Sequence, residues 1–208
     1  MAGVIPPSPN TNEDAMPNYR HGVSNVTIAL RTSKGTLGSP CSYGTPYKEV
    51  GIESITPQRG ESSATNVYSD NGKPARLRGA KGNDTYTAQF ASLSPYFQVH
   101  ALGHKQNQNT GGIVKSADDE GEVFAIGWQN EGSEKASRTW AYGCTSSEAA
   151  AAAMQTHGEN VSESPDTISI DVAGDIFADG SHHYEETVYE GDPGYETFLD
   201  AVPTYATA

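Results

Sequence analysis

The chain lacks most of the features that mark large functional classes. Of its 208 residues only Cys41 and Cys144 are cysteines. Two cysteines exclude a disulfide scaffold and a four-cysteine zinc site and suit a reducing compartment, leaving a bridge between these two as the only cross-link open. No stretch approaches the roughly 18 consecutive apolar residues of a membrane helix. The opening MAGVIPPSPNTNEDAMPNYR has neither a basic start nor an apolar core, so neither export by a standard signal nor residence in a bilayer is expected. Apolar residues make up only 35% of the chain, below the usual globular share. Catalytic signatures are missing as well: there is no GxSxG elbow, no GxxxxGK[ST] loop, no GxGxxG after a strand and no Cys/His pair in a recognisable setting. Positive charge stops at Arg138, so any phosphate contact must come from the first two-thirds.

What is present points to β structure. The length suits one domain, and 22 Gly with 12 Pro imply many turns and few long helices. Residues 1–20 are polar and Pro-rich without apolar alternation, which predicts a flexible arm ahead of a single domain over 21–208. Val, Ile and Leu near period two over His21 to Leu30 predict a strand. Further strands are expected over Tyr47 to Thr56 and Ala64 to Tyr68, with a turn between Pro57 and Ser63. SDNGKPARLRGAKGND, from Ser69 to Asp84, predicts a long exposed loop carrying Lys73, Arg76, Arg78 and Lys81. Tyr86, Ala88 and Phe90 alternate like a strand with one buried face. A helix follows, with Ser92 or Ser94 as its cap, Pro95 in its first turn and Gly103 past its end. Val123 to Gln129 and Arg138 to Tyr142 predict a hairpin with a packing Trp in each arm, Trp128 and Trp140. The run Ala149 to Ala153 has high helix propensity. Thr167 to Phe177 and Tyr184 to Tyr189 predict strands around a turn holding a solvated His182 and His183.

Charge is distributed unevenly. Residues 1–115 carry 11 Lys and Arg against 7 Asp and Glu, and residues 116–208 carry 2 against 19, for −13 in total. Such a balance argues against tight DNA binding, which depends on neutralised phosphates, and permits head-to-tail attraction between copies. His100 and His104 have a spacing that could bring two imidazoles to one metal, but no third ligand is evident. DDEGE, from Asp118 to Glu122, shares the charge of a calcium loop without its alternate-position spacing. A glycosidase pair among the many carboxylates remains open, since abundance supplies no geometry. The sequons at Asn25, Asn83 and Asn160 carry no meaning without export.

Several stretches, taken in order, resemble the major tail protein, or tail tube protein, of long-tailed, non-contractile bacteriophages. They are HGVSNVTIA, YGTPYKEVGIESITP, VYSDNGKPA, ALGH, VFAIGWQNEGSEKASRTWAYGC, PDTISIDVAGDIFADG and GDPGYETFLDAV. Together they cover most of residues 21–203, and the ordered set rather than any one motif carries the likeness. The Pro-rich arm departs from the pattern, and so does the Ala run, where the family places an extended hairpin. There the extended form is expected, because tertiary context overrides propensity.

The resemblance implies a mainly β (α+β) subunit, a β-sandwich or barrel-like fold with one flanking α-helix and extended loops. It implies a structural virion protein, assembled in the host cytoplasm, whose hexameric rings stack into the tail tube. Double-stranded DNA would cross the lumen without specific binding, and no catalysis, cofactor, metal or membrane is implied. The partners implied are further copies, a tail terminator, a tape measure and a tail-tip initiator. On this reading the basic loop of Lys73, Arg76, Arg78 and Lys81 meets an acidic surface on the next ring, drawn from Glu148, Glu159, Glu163 and Asp166. The rival readings are a carbohydrate-binding sandwich presenting Tyr43, Tyr47, Tyr184 and Tyr189, a two-carboxylate hydrolase, and a tube protein of a related secretion or gene-transfer machine.

Overall fold

The computed structural model describes residues 18–36, 38–60, 62–67, 75–148, 164–203 and 205. The chain opens on β1 (Arg20–Ser33), followed by β2 (Ser42–Tyr43), β3 (Tyr47–Lys48), β4 (Ile52–Gln58), β5 (Ser62–Val67), β6 (Ala75–Lys81) and β7 (Asp84–Phe90). Then come α1 (Pro95–His100), β8 (Lys105–Gln106), β9 (Ile113–Val114), β10 (Phe124–Gly132) and β11 (Ser137–Glu148). The remainder holds β12 (Asp166–Val172), β13 (Asp175–Ile176), β14 (His182–His183), β15 (Glu185–Tyr189) and one 3-10 turn at Tyr195–Thr197. The architecture is mainly β with one short helix.

The principal sheet runs β2-β1-β10-β11-β12-β7-β4, with β3 added to β1 and β15 to β11. Its ladders are antiparallel. β11 makes it two-layered. Ser137 to Ala141 pair with β15, whereas Cys144 to Glu148 pair with β12. Between these halves Gly143 takes φ +60°, and a Cβ there would stand 2.1 Å from the Gly174 carbonyl oxygen. Only glycine allows that corner.

One core fills the space between the layers. β1 and β10 supply Val26, Ile28, Phe124, Ile126 and Trp128, facing Tyr86, Ala88, Phe90, Ile168, Ile170 and Val172 from β7 and β12. The Tyr86 and Trp128 rings meet edge to face at 5.6 Å, a favoured aromatic geometry. The opposite face of β1, β10 and β11 is covered too: Ala29, Ala125, Trp140 and Tyr142 pack with Phe177 and Phe198. This second core explains why β10 is buried without interruption from Phe124 to Trp128, since a strand covered on both sides loses its alternation. The two tryptophans of the predicted hairpin thus serve different cores. Trp140 also donates its indole N–H to the Phe198 carbonyl at 2.7 Å.

Several sequence expectations are met and others need correction. α1 is capped by Ser94, whose hydroxyl accepts the Phe97 N–H at 3.1 Å, and Pro95 follows. Buried Glu49 accepts both the Ser94 N–H at 2.9 Å and its hydroxyl at 2.7 Å, tying the helix to the β3–β4 connection. The strand expected over Tyr47 to Thr56 is split, because Gly51 takes φ +85° and sends β3 to β1 and β4 to β7. The exposed loop expected over Ser69 to Asp84 contains a strand, β6, paired with β5. It escaped notice because ARLRGAK shows no hydrophobic alternation. His182 and His183 form β14 rather than a turn; His182 is exposed as expected, and His183 is half-buried. The His183 ring stacks on Tyr205 at 4.2 Å, and its Nε2 lies 2.8 Å from Asp179 Oδ2. Cys41 and Cys144 are free and buried, and burial pushes the Cys41 thiol up to about 11. The conflict between helix and hairpin at the Ala run, like the arm up to residue 17, lies outside the described residues. No helix among the described residues is long and apolar enough to cross a membrane.

Candidate assembly surfaces

The hairpin of β5 and β6 forms a two-stranded sheet of its own. Its cross-strand pairs set Arg76 against Asn66, Arg78 against Ala64 and Lys81 against Ser62, with an irregularity between the last two. Positions 62, 64 and 66 alternate along β5 and share one face. The extra residue that the irregularity inserts into β6 therefore brings position 81 onto the face already holding 76 and 78. Three of the four basic positions expected to act together fall on one face of one ladder, and Lys73 lies outside the described residues.

The base of this hairpin is fastened to the body. Gly60 and Gly82 approach so closely that a Cβ on Gly60 would lie 2.0 Å from the Gly82 carbonyl oxygen. Beside them Arg59 Nη1 donates to Asp84 Oδ2 at 3.0 Å, while the guanidinium spans both Glu185 oxygens at 2.7 and 3.1 Å. Asp84 is 1% exposed and also accepts the Gly60 N–H at 2.7 Å. The Tyr86 hydroxyl donates to Glu185 and receives Arg59 Nη1 at 3.2 Å. Arg59 is held further into its charged range, first by the Glu185 hydrogen bond and then by Asp84, against the opposing effect of desolvation. Burial pushes the Tyr86 phenol up, and its bond to Glu185 adds to this. A buried carboxylate left without its cation is costly, so this cluster pins β4, β7 and β15 where the hairpin departs.

The acidic residues occupy the other end of the same layer. Asp84 pairs with Val172 and Asp166 with Phe90, six residues away along β12, which is about 20 Å at strand rise. Glu148 ends β11 opposite Ile168, beside Asp166 on this far rim. Asp166 Oδ2 accepts the Leu93 N–H at 3.0 Å. Glu148 is engaged within its own subunit, by Lys115 Nζ and by His104 Nε2 at 3.4 Å. The Lys115 contact is the largest of the influences holding its carboxyl below the ordinary value. Glu159 and Glu163 lie outside the described residues.

The remaining candidates are locally committed. His100 bonds Glu122 at 2.6 Å and His104 bonds Asp119 at 2.7 Å, so the two imidazoles turn to separate carboxylates. Among the described residues no group of three or more His, Cys, Asp or Glu could hold a metal ion. Of the four tyrosines considered for sugar stacking, Tyr43 directs its hydroxyl inward to Asp175 at 3.2 Å, Tyr47 lies on Tyr96 at 4.4 Å, and Tyr184 meets the His182 ring. Tyr189, at the end of β15, is 40% exposed. A polar cleft of about 420 Å³ holds Asn25, Lys48, Arg138 and Asp200. Its cations are occupied, Lys48 by Asn25 Oδ1 at 2.9 Å and Arg138 by Gln129 and the Tyr195 and Glu196 carbonyls. Sequence reasoning missed Arg59, Asp84 and Glu185, because single charges 25 and 101 residues apart carry no local signal of meeting. Neither a protein-family model nor a curated protein matches this chain.

Proposed function

We propose that the chain is the tube subunit of a long-tailed, non-contractile phage tail, a structural protein whose rings of six copies stack head to tail around a DNA passage. The observation that carries this reading is the placement of charge. A clamped hairpin with three basic positions on one face leaves one end of the layer, and Asp166 with Glu148 sits about 20 Å away at the other. Opposite charges at opposite ends favour translation of one copy onto the next over closed pairing. The hairpin adds a second argument. A two-stranded ribbon is marginal in water by itself, and pairing or packing against a neighbour removes its unpaired edges. The net charge of −13 further suits a conduit, because phosphate is repelled rather than held. The ordered likeness of most of residues 21–203 to tail tube proteins supplies the ring and the virion.

Negative-stain electron microscopy of the concentrated full chain tests the proposal. Rings or hollow tubes with a regular axial repeat are expected. Particles that remain single subunits at high concentration, also in the presence of preformed tail tips, would overturn it.

A further inference from the structure

An apolar cavity of about 160 Å³ opens beside the second core, lined by Pro40, Tyr43, Phe177, Val202, Pro203 and Tyr205. A cavity of about 150 Å³ takes a benzene ring, so this one has room for a proline ring or a branched aliphatic side chain. Aromatic and proline walls are the surfaces that receive proline-rich, extended segments. The chain has one segment of that kind outside the described residues: Val4-Ile5-Pro6-Pro7, the only apolar run in its first seventeen residues.

The geometry assigns this segment to a neighbour's cavity. The arm joins the body at Asn18, which is tied to the turn between β10 and β11. Its side chain donates to the Lys135 carbonyl at 2.9 Å and accepts the Glu134 N–H at 3.1 Å. The cavity stands at the far end of β1, where Arg31 pairs with Tyr43. Arg20 to Arg31 spans on the order of 35 Å at strand rise. From Asn18 back to Ile5 is 13 residues, about 43 Å when drawn fully straight. A chain's own arm would therefore reach its own cavity only nearly taut along the surface, forfeiting backbone freedom. Arg20 and Glu53 border one surface pocket, and Glu53 and Pro165 the next, which sets the root of the arm on the Asp166 side. Tyr43 accepts the Gly143 N–H beside the Cys144, Val172 and Asp84 row, which sets the cavity on the hairpin side, so in a head-to-tail stack the arm of one copy starts near the cavity end of the next. We propose that the Val4–Pro7 segment of one copy docks between Tyr43, Phe177 and Tyr205 of the next, latching successive copies. This rests on the head-to-tail reading given above.

Cross-linking of full-length chains tests it. Ile5→Cys protein is mixed with Ala178→Cys protein, Ala178 being a half-buried turn residue on the cavity wall. Wild type mixed with each variant sets the background from Cys41 and Cys144, and circular dichroism checks folding. Ser42→Cys, another residue of the cavity lining, replaces Ala178→Cys if the latter unfolds. The expected result is an oxidised heterodimer several-fold above background, suppressed by excess MAGVIPPSP peptide and not by MAGVIGGSP. Background yield between folded variants would overturn the docking. So would a chain carrying both substitutions that closes on itself at high dilution, which would make the arm its own occupant. Microscopy of the same mixtures separates the two proposals: tubes with background cross-linking overturn the latch alone, and cross-linked oligomers without tubes support the latch while counting against the tube.

Discussion

Gly127 shows how tightly the second core constrains a single residue. It lies in β10 on the face that receives the C-terminal segment, and a Cβ there would stand 2.9 Å from both the Trp140 ring and Leu199 Cδ2. Trp140 cannot retreat, being fully buried with its N–H bonded to the Phe198 carbonyl. Gly127→Ala is expected to lower stability by about 1–3 kcal/mol, as overpacking does, measured by urea unfolding. Leu199→Ala in the same chain should restore part of that loss, because Leu199 is the flexible half of the clash; no recovery would assign the cost to Trp140 alone. Buried Glu49, Asp84 and Asp175 follow the same rule for polar atoms. Asp175 accepts from Arg31 at 3.2 Å, Tyr43 at 3.2 Å and the Gly35 N–H at 3.1 Å, so its interior charge is paired. None of these partners is near in sequence, which is why the carboxylates read as ordinary surface charge until the fold joins them.

At the scale of elements, the hairpin of β5 and β6 depends on its root. Arg59→Ala removes the guanidinium that Asp84 and Glu185 share. The guanidinium is half exposed, so the expected loss is about 1–3 kcal/mol, below that of a fully buried pair. The specific signature is faster amide exchange over residues 62–67 and 75–81 with the β7 and β12 ladder still protected. Equal loosening of both would show that the clamp holds the body rather than the hairpin. A second junction ties the excursion between α1 and β10 to the end of β11. There Asp119 accepts the Ser116 N–H at 2.8 Å and meets His104, while Glu148 meets Lys115 and His104. Both carboxyls are held below their ordinary values of 3.8 and 4.5, Asp119 chiefly by the Ser116 N–H and Glu148 chiefly by Lys115. Groups lowered on folding stabilise above their unfolded pKa and lose that contribution as pH falls through the folded one. The melting temperature should therefore drop as pH goes below about 4.5, and Glu148→Gln should drop less over that range than wild type. Parallel curves would exclude Glu148 from the acid response.

For the whole molecule, the charge placement makes a separable prediction. Arg76→Glu with Arg78→Glu reverses two positions on one face of the hairpin ladder, a two-stranded sheet apart from the principal one. The subunit should fold with unchanged melting while tubes shorten or fail to form in electron micrographs. Tubes of normal length would remove the hairpin from the stacking contact. Raised salt should weaken wild-type stacking in the same direction, since exposed charges beyond about 8–10 Å are screened.

The sequence by itself determined the class and much of the first core. The alternation Tyr86, Ala88, Phe90, the period-two run into β1, the Ser94 cap and the Gly103 stop are local signals, legible because side-chain period and capping act over a few residues. Only the tertiary structure decided where β11 turns its corner at Gly143, that Trp128 and Trp140 serve opposite cores, that β6 is a strand, and that Arg59, Asp84 and Glu185 converge. Pairing register and ion clusters depend on which distant segments meet. That choice is made by burial summed over the whole chain, and no short window of residues contains it.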